Sequence, residues 1–207
     1  MKKRAFNDTY GMEQAVLSGE KTMMRCVIKT EPASTDVDSW KDTMLSKSMY
    51  KVGEIVAVSQ SYEHVYNEFL NDNSATGRKY RSLANSHQFT NAWINKTNVN
   101  ARHMPHRIRI TSVKIERLQD ISDEDCEKEG IFSDDFYGDF YSYFEPPMVG
   151  YRFFGSKHFY EYPRDAFSVL IDKLKGNGTW ESNPYVYVYE FELFRDKRKE
   201  NFKRHLL

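Results

Sequence analysis

Arg107-Ile108-Arg109-Ile110-Thr111-Ser112-Val113-Lys114-Ile115-Glu116-Arg117 runs straight into Leu118-Gln119-Asp120-Ile121-Ser122-Asp123-Glu124-Asp125-Cys126-Glu127-Lys128-Glu129-Gly130, and this stretch decides the fold. Its first half reads as a long strand whose apolar positions change phase, from Ile108 and Ile110 to Val113 and Ile115. A bulge near Thr111-Ser112 produces that change, and bulges bend strands around barrels. The second half opens with Ser122 as N-cap and Asp125 three residues on, a capping box, while Ile121 can staple onto Cys126. A helix from Asp123 to Glu129 closed by Gly130 follows, so strand and helix alternate over a short distance in an α+β pattern.

Outward from this core, Asp8 or Thr9 can cap a first helix that runs from about Thr9 to Ser18 and stops at Gly19. Met23 to Ile28 reads as a strand, Lys29 to Ser48 as a polar loop, and Ile55 to Tyr62 as an alternating strand. Pro163 opens a helix in which Phe167, Leu170, Ile171 and Leu174 hold core spacing up to Gly176. Tyr185 to Phe194 alternates aromatic and β-branched residues as a final strand. Residues 67–100 and 132–162 lack periodicity and read as two insertions, the first carrying short helical pieces, in a single domain spanning 1–194, with 195–207 as a basic tail carrying six Lys or Arg against two acids. No fixed-period repeat occurs, which excludes solenoids and propellers.

At 207 residues, 40% hydrophobic and 29% charged, the chain has the composition of one ordinary folded domain. No window approaches the roughly 18 uncharged apolar residues of a membrane span, and the apolar run after Met1-Lys2-Lys3-Arg4 is too short for a signal peptide. A soluble cytoplasmic protein without a membrane partner is the expectation. Cys26 and Cys126 stand far apart with no ligand pair beside either, and His103 and His106 lack a third ligand, so neither metal nor cofactor is expected. The formal net charge of +0 hides a segregation: residues 78–117 hold nine basic residues against Glu116 alone, and residues 118–145 hold ten acids against Lys128 alone. A nucleic-acid partner meets local rather than average charge, so RNA or a nucleotide remains open, beside two oppositely charged faces that are simply solvated. Twelve aromatics between Phe136 and Tyr162 could pack an irregular insertion, form a protein interface such as a homodimer contact, or stack bases.

Several stretches, in chain order, resemble the ASCH domain family of the PUA-like superfamily. They are Gly19-Glu20-Lys21-Thr22 running to Arg25, Tyr50-Lys51-Val52-Gly53-Glu54-Ile55, His103-Met104-Pro105, Glu116 to Ser122 into the helix ending Glu129-Gly130, and Trp180-Glu181-Ser182-Asn183-Pro184. Together they cover the chain from Lys3 to about Leu193 and look like the phage- or prophage-associated branch. The resemblance implies a mostly antiparallel PUA-like β-barrel with peripheral helices. Its cleft would bind RNA or an RNA-derived nucleotide or nucleoside, and some relatives are metal-free amidohydrolases that deacylate N4-acetylcytidine.

Carried over residue by residue, the resemblance places a lysine at Lys21 and a glutamate at Glu129 as catalytic groups, but Met24 stands where the relatives have a threonine. A thioether cannot act as a hydroxyl nucleophile, which leaves Thr22 as the nearby substitute and argues against hydrolysis. Val58-Ser59-Gln60 replaces the relatives' Val-Arg-Glu with neutral hydrogen-bonding groups suited to reading a base edge. A cleft lined by Lys21, Thr22, Arg25, Gln60 and Glu129 is therefore expected, with Arg102, His103, Arg107 and Arg109 in electrostatic support. The Lys21 ammonium could meet a phosphate, the Arg25 fork a phosphate or a base edge, and Trp180 could stack a base; each also has a plainer role, Lys21 a solvated cation at a helix end, Arg25 an ion pair with the acidic helix, and Trp180 a plug at the barrel end.

Overall fold

The computed structural model describes residues 1–33, 35–136 and 148–194. Tyr137, Phe140, Tyr141, Tyr143, Phe144 and the basic tail lie outside the described residues. The chain divides into two compact units, one formed by the described residues 1–6, 53–109 and 192–194, the other by 7–52 and 110–191. Among the described residues there are seven helices, a five-stranded sheet and a two-stranded ribbon.

In the first unit, β1 (Lys3–Arg4) pairs in parallel with β3 (Ile55–Val58), and β3 pairs antiparallel with the start of β4 (Arg107–Arg117), Ala57 opposite Arg107. β3 was expected to continue to Tyr62. It ends at Val58 because Ser61 turns into an N-cap, its hydroxyl accepting from the His64 N–H, and starts α3 (Tyr62–Glu68). The polar stretch after it holds α4 (Ala75–Asn85), capped by Ser74 in the same way. Ala57, Tyr62, Val65, Ala84, Ala92, Val99 and Met104 close a core between strand and helices, which supplies the apolar burial that this weakly periodic segment does not advertise.

In the second unit, α1 (Met12–Ser18) leads into β2 (Met23–Val27), which pairs antiparallel with β7 (Tyr185–Leu193), Met24 opposite Tyr189. The expected loop after β2 contains α2 (Val37–Ser46). Asp36 accepts from the Ser39 N–H at its start, and Val37, Trp40, Met44 and Leu45 cover Ile28, Ile115 and Tyr185. α5 (Asp123–Lys128) starts on the expected cap, with the Ser122 hydroxyl accepting from the Asp125 N–H at 3.1 Å. β5 (Ile131–Phe136) and β6 (Met148–Phe153) form the separate ribbon, within what read as an irregular insertion. α6 (Pro163–Lys175) buries Phe167, Leu170 and Ile171, leaving Leu174 half-buried, and Trp180 in α7 (Thr179–Ser182) sets its ring edge-on to Phe167.

The strand order β1-β3-β4-β7-β2 is linear, mostly antiparallel, with β1 and β2 as edges. The described strands therefore make an α+β sheet that does not close into the expected barrel. Closure needs a continuous ladder between the edges, and β1 is only two residues long. The phase change in β4 is present: Ile108 and Ile110 are buried on one parity, Ile115 on the other.

Candidate functional site

The second unit brings Lys21, Arg25 and Glu129 together. α1 ends at Gly19, and the chain is then pinned from two sides: the Lys21 N–H donates to the Ala15 carbonyl (2.9 Å) and the Thr22 N–H to the Lys128 carbonyl (3.0 Å). The turn after the first helix is thereby tied to the end of α5. Glu129 follows the last residue of α5, its N–H donating back to Asp125 and Cys126. Lys21 Nζ donates to Glu129 Oε2 at 2.6 Å and to the Glu129 carbonyl at 2.5 Å, with both side chains no more than 7% exposed.

Arg25, on β2, is enclosed completely. Its Nη1 donates to Glu129 Oε1 (3.2 Å) and its Nη2 to Glu116 Oε1 (2.7 Å) and Asp125 Oδ2 (3.2 Å), while its side chain has 0% exposure. Lys114 Nζ adds a cation 2.8 Å from the other oxygen of Glu116. Burial works against the guanidinium charge, but Glu129 and Glu116 outweigh it and raise the Arg25 pKa. The fork expected to read phosphate is filled by three carboxylates, one of them on the acidic helix. Arg25 thus holds β2, β4 and α5 in register and fixes one oxygen of Glu129, leaving the other to Lys21. Thr22 is half-buried with its backbone bonded on both sides, the carbonyl accepting from Phe191 N–H at 2.8 Å. Met24 is buried.

A cavity of about 540 Å³ lies beside this pair, within the same unit. Tyr10 and Gly11 before α1, Glu20 next to Lys21, Glu127 and Gly130 at the end of α5, and Phe132 and Phe154 of the ribbon line it. That volume lies in the range of small-ligand pockets, about 300–1,000 Å³. Lys21 and Glu129 are not lining residues but stand directly behind the wall. Gly130, at φ 98°, has the Lys21 Cδ only 3.8 Å from where a Cβ would be, and Met12 at 3.6 Å. Phe154 can lie across the chain at Gly11 only because that residue has no side chain: a Cβ there would sit 2.6 Å from Phe154 Cγ.

The remaining expected residues belong to the first unit. Gln60 is 2% exposed; its Nε2 donates to Glu68 Oε2 (3.1 Å), and its buried Oε1 has no hydrogen-bond partner among the described residues. Glu68 Oε1 meets His106 Nε2 at 2.6 Å. Burial opposes the Glu68 charge, but His106, Gln60 and His64 overcome it and lower its pKa. His103 Nδ1 lies 2.7 Å from the Tyr62 hydroxyl, whose ring stacks on His87 with centroids 4.0 Å apart. Burial, with His87 nearby, lowers the His103 pKa, and burial raises that of Tyr62. Arg102 is exposed, Arg107 is half-buried with its Nε lacking a partner, and Arg109 is exposed beside Glu192. Tyr10, Phe132, Phe154, Glu116 and Asp125 were not anticipated as site residues. Asp125 was legible only as a capping residue, and the cavity arises where separate pieces of chain meet. No family model matches the chain, nor does any curated protein or solved structure.

Proposed function

We propose that the protein binds an RNA-derived nucleoside in the cavity of the second unit, and that its sheet is a divergent relative of the PUA-like, ASCH-type architecture. The observation that carries the ligand reading is the Lys21–Glu129 pair set immediately behind the wall of a cavity of nucleoside size. Arg25 supports it by holding Glu129 in place. Aromatic walls provide stacking worth about 1–3 kcal/mol per base. Calorimetric titration of the purified chain with cytidine and adenosine tests the reading: saturable binding lost in Gln14→Trp, an exposed position on the cavity wall, is the expected result, and no heat from either nucleoside refutes it.

RNA itself is assigned to the first unit, whose described residues carry ten basic groups against five acidic ones. Its binding should weaken linearly with the logarithm of salt concentration, and Arg102→Ala should lower that slope by about one. A slope near zero would remove the polynucleotide from the proposal.

A second reading, hydrolysis of an acylated nucleoside, is favoured by the 2.6 Å Lys21–Glu129 contact. For this, Glu129 would have to turn from behind the Gly130 wall into the cavity, where it would take a proton from a water attacking the amide carbonyl. The C–N bond then breaks, the acyl group leaves as a carboxylate, and Lys21 returns a proton to the departing exocyclic amine. With Met24 buried where relatives have a hydroxyl, water rather than a side chain is the attacking group here. Release of cytidine from N4-acetylcytidine, abolished in Lys21→Ala, would establish this reading; no release over hours would leave binding alone.

A further inference from the structure

We infer that the cavity of the second unit selects a positively charged organic ligand, a cationic planar ring or an alkylated ammonium group, and turns away phosphorylated ones. This rests on the reading of the cavity as the ligand site and adds the charge its occupant carries. Three aromatic side chains, Tyr10, Phe132 and Phe154, share the wall with two carboxylates, Glu20 and Glu127, and among the described residues no Lys, Arg or His lines it. Both carboxylates are exposed, and neither forms an ion pair among the described residues. Aromatic faces carry the negative part of the ring quadrupole and attract cations, most strongly where water is partly excluded.

The surrounding charges do not cancel this preference. Lys21 faces the cavity wall with its methylene stem, and its ammonium is bonded to Glu129. Lys128 is paired with Glu124 and Asp125, and Arg152 with Asp134. Arg152, the register partner of Phe132 in the ribbon, sets its guanidinium 5.3 Å from the centroid of that ring. The uncompensated charge at the cavity is therefore that of Glu20 and Glu127. Phe154 remains 61% exposed while its ring is braced against Gly11, so most of its surface is available to a ligand. A phosphate attached to a ligand in this cavity would meet two carboxylates and no cation of its own to pair with.

Titration calorimetry at pH 7 on the full chain would use four probes: adenosine, 1-methyladenosine, which is a protonated cation at that pH on a ring of nearly the same shape, 1-methyladenosine 5′-monophosphate, and benzyltrimethylammonium. The expected result is 1-methyladenosine at least tenfold tighter than adenosine, at least tenfold weakening by the 5′-phosphate, and competition by benzyltrimethylammonium. In Glu20→Gln/Glu127→Gln the ratio of the 1-methyladenosine and adenosine affinities, measured in that same variant, should fall below about threefold. Equal affinity for adenosine and its methylated form overturns the inference and leaves the nucleoside reading standing. Binding of benzyltrimethylammonium alone, lost in the double variant, upholds the inference and removes the nucleoside reading. Absence of binding by all four probes overturns both.

Discussion

Arg25 in the second unit and Arg109 in the first each place an Nη1 at 3.2 Å from a glutamate oxygen, Glu129 in one case and Glu192 in the other. The geometry is the same and the consequence is opposite. Arg25 has no exposed side-chain surface and is shared among three carboxylates, whereas Arg109 and Glu192 are 44% and 57% exposed. In water the Arg109 pair is screened and adds little, while removing Arg25 would strand buried carboxylates away from solvent. The units differ in the same sense at larger scale: the described residues of the first hold ten basic against five acidic groups, those of the second 14 against 21. A chain of zero net charge thus divides into a basic unit and an acidic one over its described residues, and distance alone does not tell which ion pairs matter.

The sharpest way to break this contrast is Arg25→Ala. Loss of about 3–5 kcal/mol is expected in urea denaturation, since Glu116, Asp125 and Glu129 lose their shared cation. A loss below about 1 kcal/mol would mean that water reaches the cluster and that the two arginines are equivalent. Gly11→Ala comes next, with about 1–3 kcal/mol lost to the left-handed backbone and to displacement of Phe154, read by the same denaturation curves; a neutral result would show that the ring is not braced there.

Acid should act on the first unit through His103 and Glu68. The folded His103 pKa lies below its ordinary value of 6.5, so its contribution is complete above pH 6.5 and declines as pH falls from there through the folded value. Glu68, held below its ordinary 4.5 by His106, Gln60 and His64 against burial, contributes above that pH and loses its share as pH falls through its folded value. Denaturation midpoints measured from pH 7.5 to 5 should decline, and His103→Gln should flatten that slope; an unchanged slope would exclude the Tyr62–His103 contact as its source. The smallest effect expected is that of Arg109→Ala, within about 0.5 kcal/mol of wild type by thermal denaturation.

Strand β4, the Ser122 cap and the α6 stripe were legible because each is fixed by neighbours a few residues away: a period, a cap, a proline at the first turn. α2 was missed since the stretch around Val37, Trp40, Met44 and Leu45 reads as polar, and its apolar residues gain a reason only from Ile28, Ile115 and Tyr185 beneath them. Short helical pieces were expected between 67 and 100 and α4 is one of them, but its core partners, from α3 and from Ala92 and Val99, come only with folding. The site divides likewise. Lys21 and Glu129 were marked by a resemblance of local motifs, while Glu116 and Asp125 are ordinary acids in the sequence and become partners of Arg25 only through folding.

By itself the sequence determined the α+β class, the positions of the main strands and caps, and the segregation of charge, because propensity, periodicity and capping act over a few residues. Only the tertiary structure decided that Arg25 is enclosed rather than free for phosphate, that Phe154 meets Gly11 beside an acidic cavity, and that the described sheet stays open. Burial and long-range contact set those outcomes, and both depend on residues a hundred positions apart meeting in space.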